Sequence, residues 1–257
     1  LIALSRQWGF LFFPTVVFFT FISRKKLSFK RLFGFFTISS IVGFIISGWF
    51  YLGLYNQYGS FAKFNLEPNN FSILDLIRIM YININIDELF TNPTKNSTLR
   101  GLFPVFYADL WGDYNMYFSY LDHKFTGRNL RFENYLGRVA LISVYPTALI
   151  LYGLVKLSID FVSKKIDLIS ITQKVIFFNV ITTWFFYCSW IVIYNFYNET
   201  ISGVSPVYML QLVNFFPLLG GLASMTIYKK YPSFYQINLI ILSFIFLHNI
   251  GVIYLSN

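Results

Sequence analysis

Long apolar runs without charge are the feature that most constrains this chain. Val175–Asn198 contains no charged residue. A helix needs roughly 20 apolar residues to cross a hydrocarbon core about 30 Å thick. Only 12% of the residues are charged, whereas about 25% is usual in soluble domains. In lipid the backbone must satisfy its own hydrogen bonds, and a helix does so. The sequence therefore predicts membrane-spanning helices.

Six segments meet or approach the spanning length. They are Gln7–Ser23, Leu32–Leu54, Val139–Val155, Val175–Asn198, one span within Thr200–Tyr228 and one within Tyr231–Asn257. We predict an all-α integral membrane protein, with a bundle of about six transmembrane helices and one large extracytoplasmic loop. The chain begins at Leu1, at the edge of an apolar segment. We therefore interpret residues 1–257 as a single transmembrane domain and a fragment of a longer protein.

The charges of the connecting segments predict the orientation of the spans. Alternate connections, and the span ends beside them, are strongly basic: Arg24, Lys25, Lys26, Lys30, Arg31, Lys156, Lys164, Lys165, Lys174, Lys229 and Lys230, against Asp160 and Asp167. Cytoplasmic loops carry such an excess. Residues 55–134 then form an extracytoplasmic loop between the second and third spans. The protein would lie in the plasma membrane if it is prokaryotic. This topology accounts for the net charge of +9, so no nucleic acid partner is expected.

The long outer loop contains two segments with local structural signals. Phe71–Tyr81 has apolar residues close to helical spacing, which predicts a short helix on the membrane surface or against the bundle. Asn92–Leu99 is polar and contains Pro93, which predicts an exposed turn.

A third segment of the loop, Tyr107–Tyr114, combines carboxylates with aromatic rings. Asp109 and Asp113 would share a face if the segment is helical. Trp111 and Tyr114 suit an aromatic belt at headgroup depth. The same groups suit a carbohydrate site, in which rings pack on a sugar and carboxylates accept its hydroxyl hydrogen bonds. The two carboxylates could also hold a hard divalent cation, although no motif indicates a metal site or any other cofactor.

Two arginines lie at the outer ends of predicted spans, Arg6 and Arg138. One interpretation is that both side chains reach up to the lipid headgroups. The other is that they clamp a lipid-linked phosphate, because a guanidinium offers two parallel hydrogen bonds to a phosphate.

Several residues inside the spans predict helix contacts. His248 is expected to pair with a neighbouring helix, with a proton relay as the alternative. Pro14, Pro146 and Pro217 are expected to bend their helices. Gly220 and Gly221 are expected to permit close helix contact.

Four short stretches resemble the polytopic glycosyltransferases of the GT-C class, in particular the dolichyl-phosphate-mannose protein mannosyltransferases and their prokaryotic relatives. They are Ser5–Phe10 leading to Pro14, Gly48–Tyr51 followed by Tyr58-Gly59, Tyr107–Tyr114, and Gly203–Tyr208 followed by Pro217. Ser205 or Pro206 stands where the family often has a lysine. The resemblance implies transfer of a sugar from a polyprenyl-phosphate carrier to an extracytoplasmic acceptor. It also implies that the catalytic acid lies upstream of this chain, so we assign no catalytic residue.

Three functional hypotheses follow. In a glycosyltransferase, the partners are membrane lipid and a polyprenyl-phosphate-linked sugar, and this chain is the non-catalytic C-terminal part. Its predicted substrate-binding residues are Arg6, Asp109, Trp111, Asp113, Tyr114, Arg138 and Tyr208, with no metal ligand among them. The second hypothesis is a polytopic transporter or lipid flippase. The third is a membrane scaffold or a polymerase of another family.

Overall fold

The structure is a computed structural model that describes residues 29–59, 72–78, 81, 84–95, 99, 101–115, 130–163, 170–196 and 210–251. Within these ranges the regular structure is helical and no strand occurs. The predicted all-α class is therefore confirmed for the described part of the chain.

The described helices lie in the following order along the chain. They are α1 (Phe29–Tyr58), α2 (Ile73–Ile77), α3 (Ile86–Thr91), α4 (Leu102–Trp111), α5 (Leu130–Ile142), α6 (Val144–Ser163), α7 (Ile171–Phe196), α8 (Leu210–Val213), α9 (Phe216–Lys230) and α10 (Pro232–Asn249). The second to sixth predicted spans fall on α1, α5 with α6, α7, α9 and α10. The first predicted span, Gln7–Ser23, lies outside the described residues.

A search of the described residues finds one helical stretch, Glu133–Ser163, that is long and apolar enough to cross a membrane. This stretch contains the third predicted span, Val139–Val155. Only 28% of its most apolar window is buried inside the protein. Most of the residues in this apolar window are therefore not buried by other parts of the protein.

The chain divides into two compact units. The first comprises Leu1–Asn70, Lys165–Gly203 and Tyr208–Leu212, and its long described helices are α1 and α7. The second comprises Phe71–Lys164, Val204–Val207 and Val213–Asn257, and it holds α2 to α6, α9 and α10. The described residues of the predicted substrate site belong to the second unit.

Close helix packing in the second unit depends on two glycines. Gly153 of α6 is buried against α9, and a Cβ atom there would overlap the backbone carbonyl of Leu219. A Cβ atom on Gly137 of α5 would likewise overlap the backbone carbonyl of Phe90 in α3. Small residues permit such backbone approach between helices.

The prediction that Gly220 and Gly221 provide the close contact is wrong. A Cβ atom on Gly220 would come no closer than 3.9 Å to another residue, at Ile150 Cγ1, and one on Gly221 would meet nothing within 4 Å. The reason is geometric, because Gly221 is exposed while Leu219 is the buried residue of this turn.

Helical structure is interrupted just before two of the prolines predicted to bend helices. Pro146 lacks an N–H group and leaves the carbonyl of Ile142 without its usual helical donor, and the helix is interrupted nearby, at Ser143. Pro217 likewise lies in the first turn of α9, and the turn at Asn214 and Phe215 separates this helix from α8. Pro14 lies outside the described residues.

In the predicted outer loop, one local prediction is confirmed and one is wrong for most of its described residues. Phe71–Tyr81 contains α2, whose N-terminus is capped by Ser72, which accepts the Asp75 N–H at 3.1 Å. In the Asn92–Leu99 turn, Asn92, Thr94 and Leu99 are buried and only Lys95 is exposed among the described residues, which exclude residues 96–98.

Hydrogen bonds explain why the Asn92–Leu99 turn tolerates burial. The Thr94 hydroxyl donates to Asn92 Oδ1 at 2.8 Å. The Lys95 N–H donates to the carbonyl oxygen of Tyr114 at 2.7 Å. The polar groups are thus paired inside the protein, which removes much of the cost of burying them.

Candidate functional site

Helix α4 carries most of the acidic and aromatic segment predicted to be functional. It begins after Gly101, whose φ of 98° favours glycine. Leu102, Val105, Phe106 and Ala108 are buried, so α4 is a packed element of the second unit.

Two aromatic side chains fasten α4 to the α5–α6 junction. Tyr107 and Trp111 are four residues apart and so share one face of the helix. The Tyr107 hydroxyl donates to the carbonyl oxygen of Ala140 at 2.7 Å, and Trp111 Nε1 donates to Thr147 Oγ1 at 2.9 Å. The Trp111 ring also packs against the buried pair Leu136 and Val139.

The Tyr107 hydroxyl remains a hydrogen-bond donor at physiological pH. Burial raises the pKa of Tyr107 to about 12, and a hydrogen bond with Thr147 partly opposes that rise. The phenol therefore stays neutral and keeps its bond to Ala140. We infer a structural role for Tyr107, because a phenol with so high a pKa is a poor proton donor in acid–base chemistry.

The junction between α5 and α6 also contacts α10. Asn249 Nδ2 donates to Ser143 Oγ at 2.9 Å. The His248 ring stacks on Tyr135 with a centroid distance of 5.2 Å, and the Tyr135 hydroxyl donates to the His248 carbonyl. His248 therefore pairs with a neighbouring helix as predicted, and it is half-buried.

A second polar cluster, which the sequence analysis missed, links α6, α9 and α10. Asn238 is completely buried; it accepts a hydrogen bond from the Tyr145 hydroxyl at 2.6 Å and donates to Ser224 Oγ at 3.2 Å. An asparagine within the apolar sequence of α10 was the available signal, because buried amides need partners.

The structure does not bring the predicted sugar-binding side chains together on one face. Asp109 and Trp111 are two residues apart on α4 and project from nearly opposite sides. Asp109 follows Phe106 by three residues and shares the side on which the Phe106 ring meets Phe216 of α9, with centroids 6.5 Å apart.

The prediction that Asp109 and Asp113 share a helical face is wrong, because α4 ends at Trp111. Asp113 lies beyond Gly112 and is only 2% exposed, so a substrate does not reach it in this conformation. Asp109 and Tyr114 are half-buried. No group of three or more His, Cys, Asp or Glu side chains that could hold a metal occurs within the described ranges.

Trp111 fits neither of its two predicted roles well. A belt residue directs its indole N–H toward headgroups and water, whereas here the N–H donates to Thr147. The ring, which was predicted to pack on a sugar, packs against Leu136 and Val139. The side chain acts instead as an anchor between α4 and the apolar helical stretch Glu133–Ser163.

Arg138 remains accessible on the opposite side of α5 from this anchor. Asn134, Arg138 and Leu141 are all exposed and lie along one side of the helix. The side chain of Leu141 is 56% exposed. An anion can therefore reach the Arg138 guanidinium, and the apolar side chain of Leu141 lies one helical turn further along the same side of α5. Arg6 and Tyr208, the remaining predicted site residues, lie outside the described ranges.

Comparison of the chain with protein-family models, curated proteins and solved structures gives no match. The geometry of the second unit and the charge pattern of the sequence are therefore the basis for a functional proposal.

The Trp111–Thr147 contact gives a direct test of the anchor. Thr147→Val keeps the shape of the side chain but removes the hydroxyl that accepts the hydrogen bond of the partly buried indole N–H. We expect the free energy of unfolding in detergent to fall by roughly 1–3 kcal/mol. Thr226→Val is the control, because the Thr226 hydroxyl donates to the Leu222 carbonyl of its own helix. Equal losses in the two variants would contradict the anchor.

Proposed function

We propose that this chain is a multi-pass membrane protein with about six spans, its basic connections in the cytoplasm and residues 55–134 outside. The Glu133–Ser163 stretch supports this proposal through its length and apolar composition. Large apolar side chains exposed on other helices support it as well, including Ile45 of α1 at 71% and Phe244 of α10 at 70%. In water such surfaces would be unfavourable, whereas lipid chains cover them at no cost.

Within this membrane setting, we propose that the chain binds the donor lipid of a glycosyltransferase. The enzyme would move a sugar from a polyprenyl-phosphate carrier to an extracytoplasmic acceptor. The observation that supports this most is the exposed face of α5, where Arg138 stands three residues before the exposed Leu141. A guanidinium binds a phosphate through two parallel hydrogen bonds. The apolar side chain of Leu141, one helical turn further along α5, suits the hydrocarbon chain of the carrier.

The described residues then divide into two roles. Arg138 binds the carrier phosphate, with Arg6 and Tyr208 as further predicted partners of the donor. Asp109, which is half-buried, is the more exposed of the two carboxylates in the segment, and we assign it to the acceptor side. Tyr107, Trp111 and the buried Asp113 position the loop and do not touch the substrate.

The proposed reaction is a direct displacement at the anomeric carbon. An oxygen of the acceptor forms the new bond to that carbon while the bond to the phosphate oxygen breaks. The carrier phosphate leaves with the bonding electrons, and a carboxylate acting as general base takes the acceptor proton. Arg138 would hold this phosphate through the same hydrogen bonds in the bound donor and during the displacement.

An assay in liposomes tests the proposal against its main alternative. The intact protein is reconstituted with a radiolabelled polyprenyl-phosphate sugar, with and without a library of acceptors on the outer face. Transfer of label to an acceptor is the expected result. Movement of the labelled lipid across the bilayer without an acceptor would instead favour the transporter or flippase hypothesis.

A further inference from the structure

A cavity lies at the turn between α9 and α10, far along the sequence from the proposed donor site. Its volume is about 720 Å³. The lining residues come from the end of α9 and the first turns of α10: Lys230, Tyr231, Pro232, Ser233, Phe234 and Ile237.

Contacts between the two helices hold this turn in place. The Tyr228 and Tyr235 rings meet edge to face with centroids 5.1 Å apart. One turn further from the connection, the buried Asn238 donates to Ser224. The Tyr231 N–H donates to the carbonyl of Ile227 at 2.7 Å. The backbone that carries the lining residues is therefore held in place, which lowers the cost of ordering this turn when a ligand binds.

The charge of this turn favours an anion. Lys229 and Lys230 are both exposed, and the Lys230 ammonium lies 5.1 Å from the centre of the Tyr231 ring. No acidic residue occurs anywhere from Phe216 to Gly251. Nothing within this hairpin therefore neutralises the two ammonium groups.

An apolar track leads away from the cavity along α10. Phe234 and Ile237 line the cavity and are 47% and 50% exposed, and Ile240 and Phe244 continue the same side of the helix at 57% and 70%. A small water-soluble anion has no apolar part that could make favourable contacts with this track. A molecule with an anionic head and long hydrocarbon chains would match both parts of the surface.

We propose that the α9–α10 turn binds an anionic phospholipid, whose phosphate contacts Lys229 and Lys230 while an acyl chain lies along the track. Basic clusters on the cytoplasmic side of membrane helices recognise anionic headgroups. The inference rests on the membrane placement proposed above, but it is independent of glycosyl transfer. A failed transfer assay would therefore leave it intact.

Native mass spectrometry of the full chain tests this site, with phosphatidylglycerol added to neutral detergent micelles. The double variant Lys229→Gln/Lys230→Gln is expected to bind phosphatidylglycerol roughly 30-fold more weakly, from about fivefold per lysine. The variant Lys229→Arg/Lys230→Arg keeps both charges and should retain binding. A loss in both variants would overturn the proposal.

A matched control separates this site from general attraction between charges. Lys30→Gln/Arg31→Gln removes the same charge from exposed residues at the start of α1, and we expect less than a twofold change. An equal loss in this control would contradict a specific site. Equal binding of phosphatidylcholine, or competition by soluble glycerol phosphate at the same concentration, would also overturn the phospholipid assignment.

Discussion

Replacing Gly153 with alanine is expected to lower the free energy of unfolding by about 3 kcal/mol, the upper part of the usual range for overpacking. The added Cβ atom would overlap the Leu219 carbonyl, which belongs to the backbone of α9 and cannot rotate away. The two helices must therefore separate. Separation would also disturb the polar cluster in which Asn238 of α10 accepts a hydrogen bond from Tyr145 of α6 and donates one to Ser224 of α9. Unfolding of the full chain in mixed micelles, monitored by circular dichroism, measures the change.

Gly221→Ala is the matched control for this experiment. Gly221 lies in α9, and a Cβ atom there meets nothing within 4 Å. Because alanine is a better helix former than glycine by about 0.5–1 kcal/mol, we expect unchanged or slightly higher stability. If Gly153→Ala is as stable as Gly221→Ala, the close packing of α6 on α9 is wrong.

Replacing Arg138 with glutamine is expected to raise the KM for the polyprenyl-phosphate sugar roughly 10–100-fold. The substitution removes hydrogen bonds from a charged donor to the phosphate, which contribute about 1.5–3 kcal/mol. Because these bonds form in the ground-state complex as well as in the transition state, kcat should change much less than KM. Arg138 is exposed, so the folded protein should keep its stability. Steady-state transfer kinetics in liposomes measure both constants.

Arg78→Gln is the control for Arg138, since Arg78 is exposed, follows α2 directly and belongs to the outer loop predicted to lie on the same side of the membrane as Arg138. It should leave both kinetic constants unchanged. A side chain that only reaches up to headgroups would also leave KM unchanged in Arg138→Gln. That result would remove Arg138 from the donor site.

The helices were predictable from the sequence because their cause is local. An apolar run such as Val175–Asn198 forms a helix wherever water is excluded, since its backbone groups pair within the same segment. The prediction did not depend on knowing which residues lie against one another. This explains why the described parts of five predicted spans coincide with helices although their packing was unknown.

The prediction that Asp109 and Asp113 share a helical face failed because α4 ends before Asp113. The sequence did contain a signal for this helix end. Gly112 directly follows Trp111, the last residue of the helix, and glycine commonly follows a helix end. A helix ending there cannot place Asp113 on the face of Asp109. The prediction of a shared face considered only the spacing of the two carboxylates.

The buried turn and the close glycines were harder to predict, because non-local contacts determine them. Thr94 is buried as part of a turn that pairs with Tyr114, some twenty residues away in sequence. Gly153 and Gly221 look alike in sequence, yet only Gly153 faces a neighbouring backbone. Which side of a helix meets its partner depends on the packing of whole helices.

The most direct test of the account is the side of the membrane on which three exposed residues lie. In a Cys188→Ser background, single cysteines are introduced at Lys30, Lys229 and Asn134, all of which are exposed. An impermeant maleimide added to intact cells is expected to label the cysteine at Asn134 alone. The other two should react only after the membrane is opened. Labelling of the Asn134 and Lys30 positions from the same side would contradict the proposed topology and the external donor site with it.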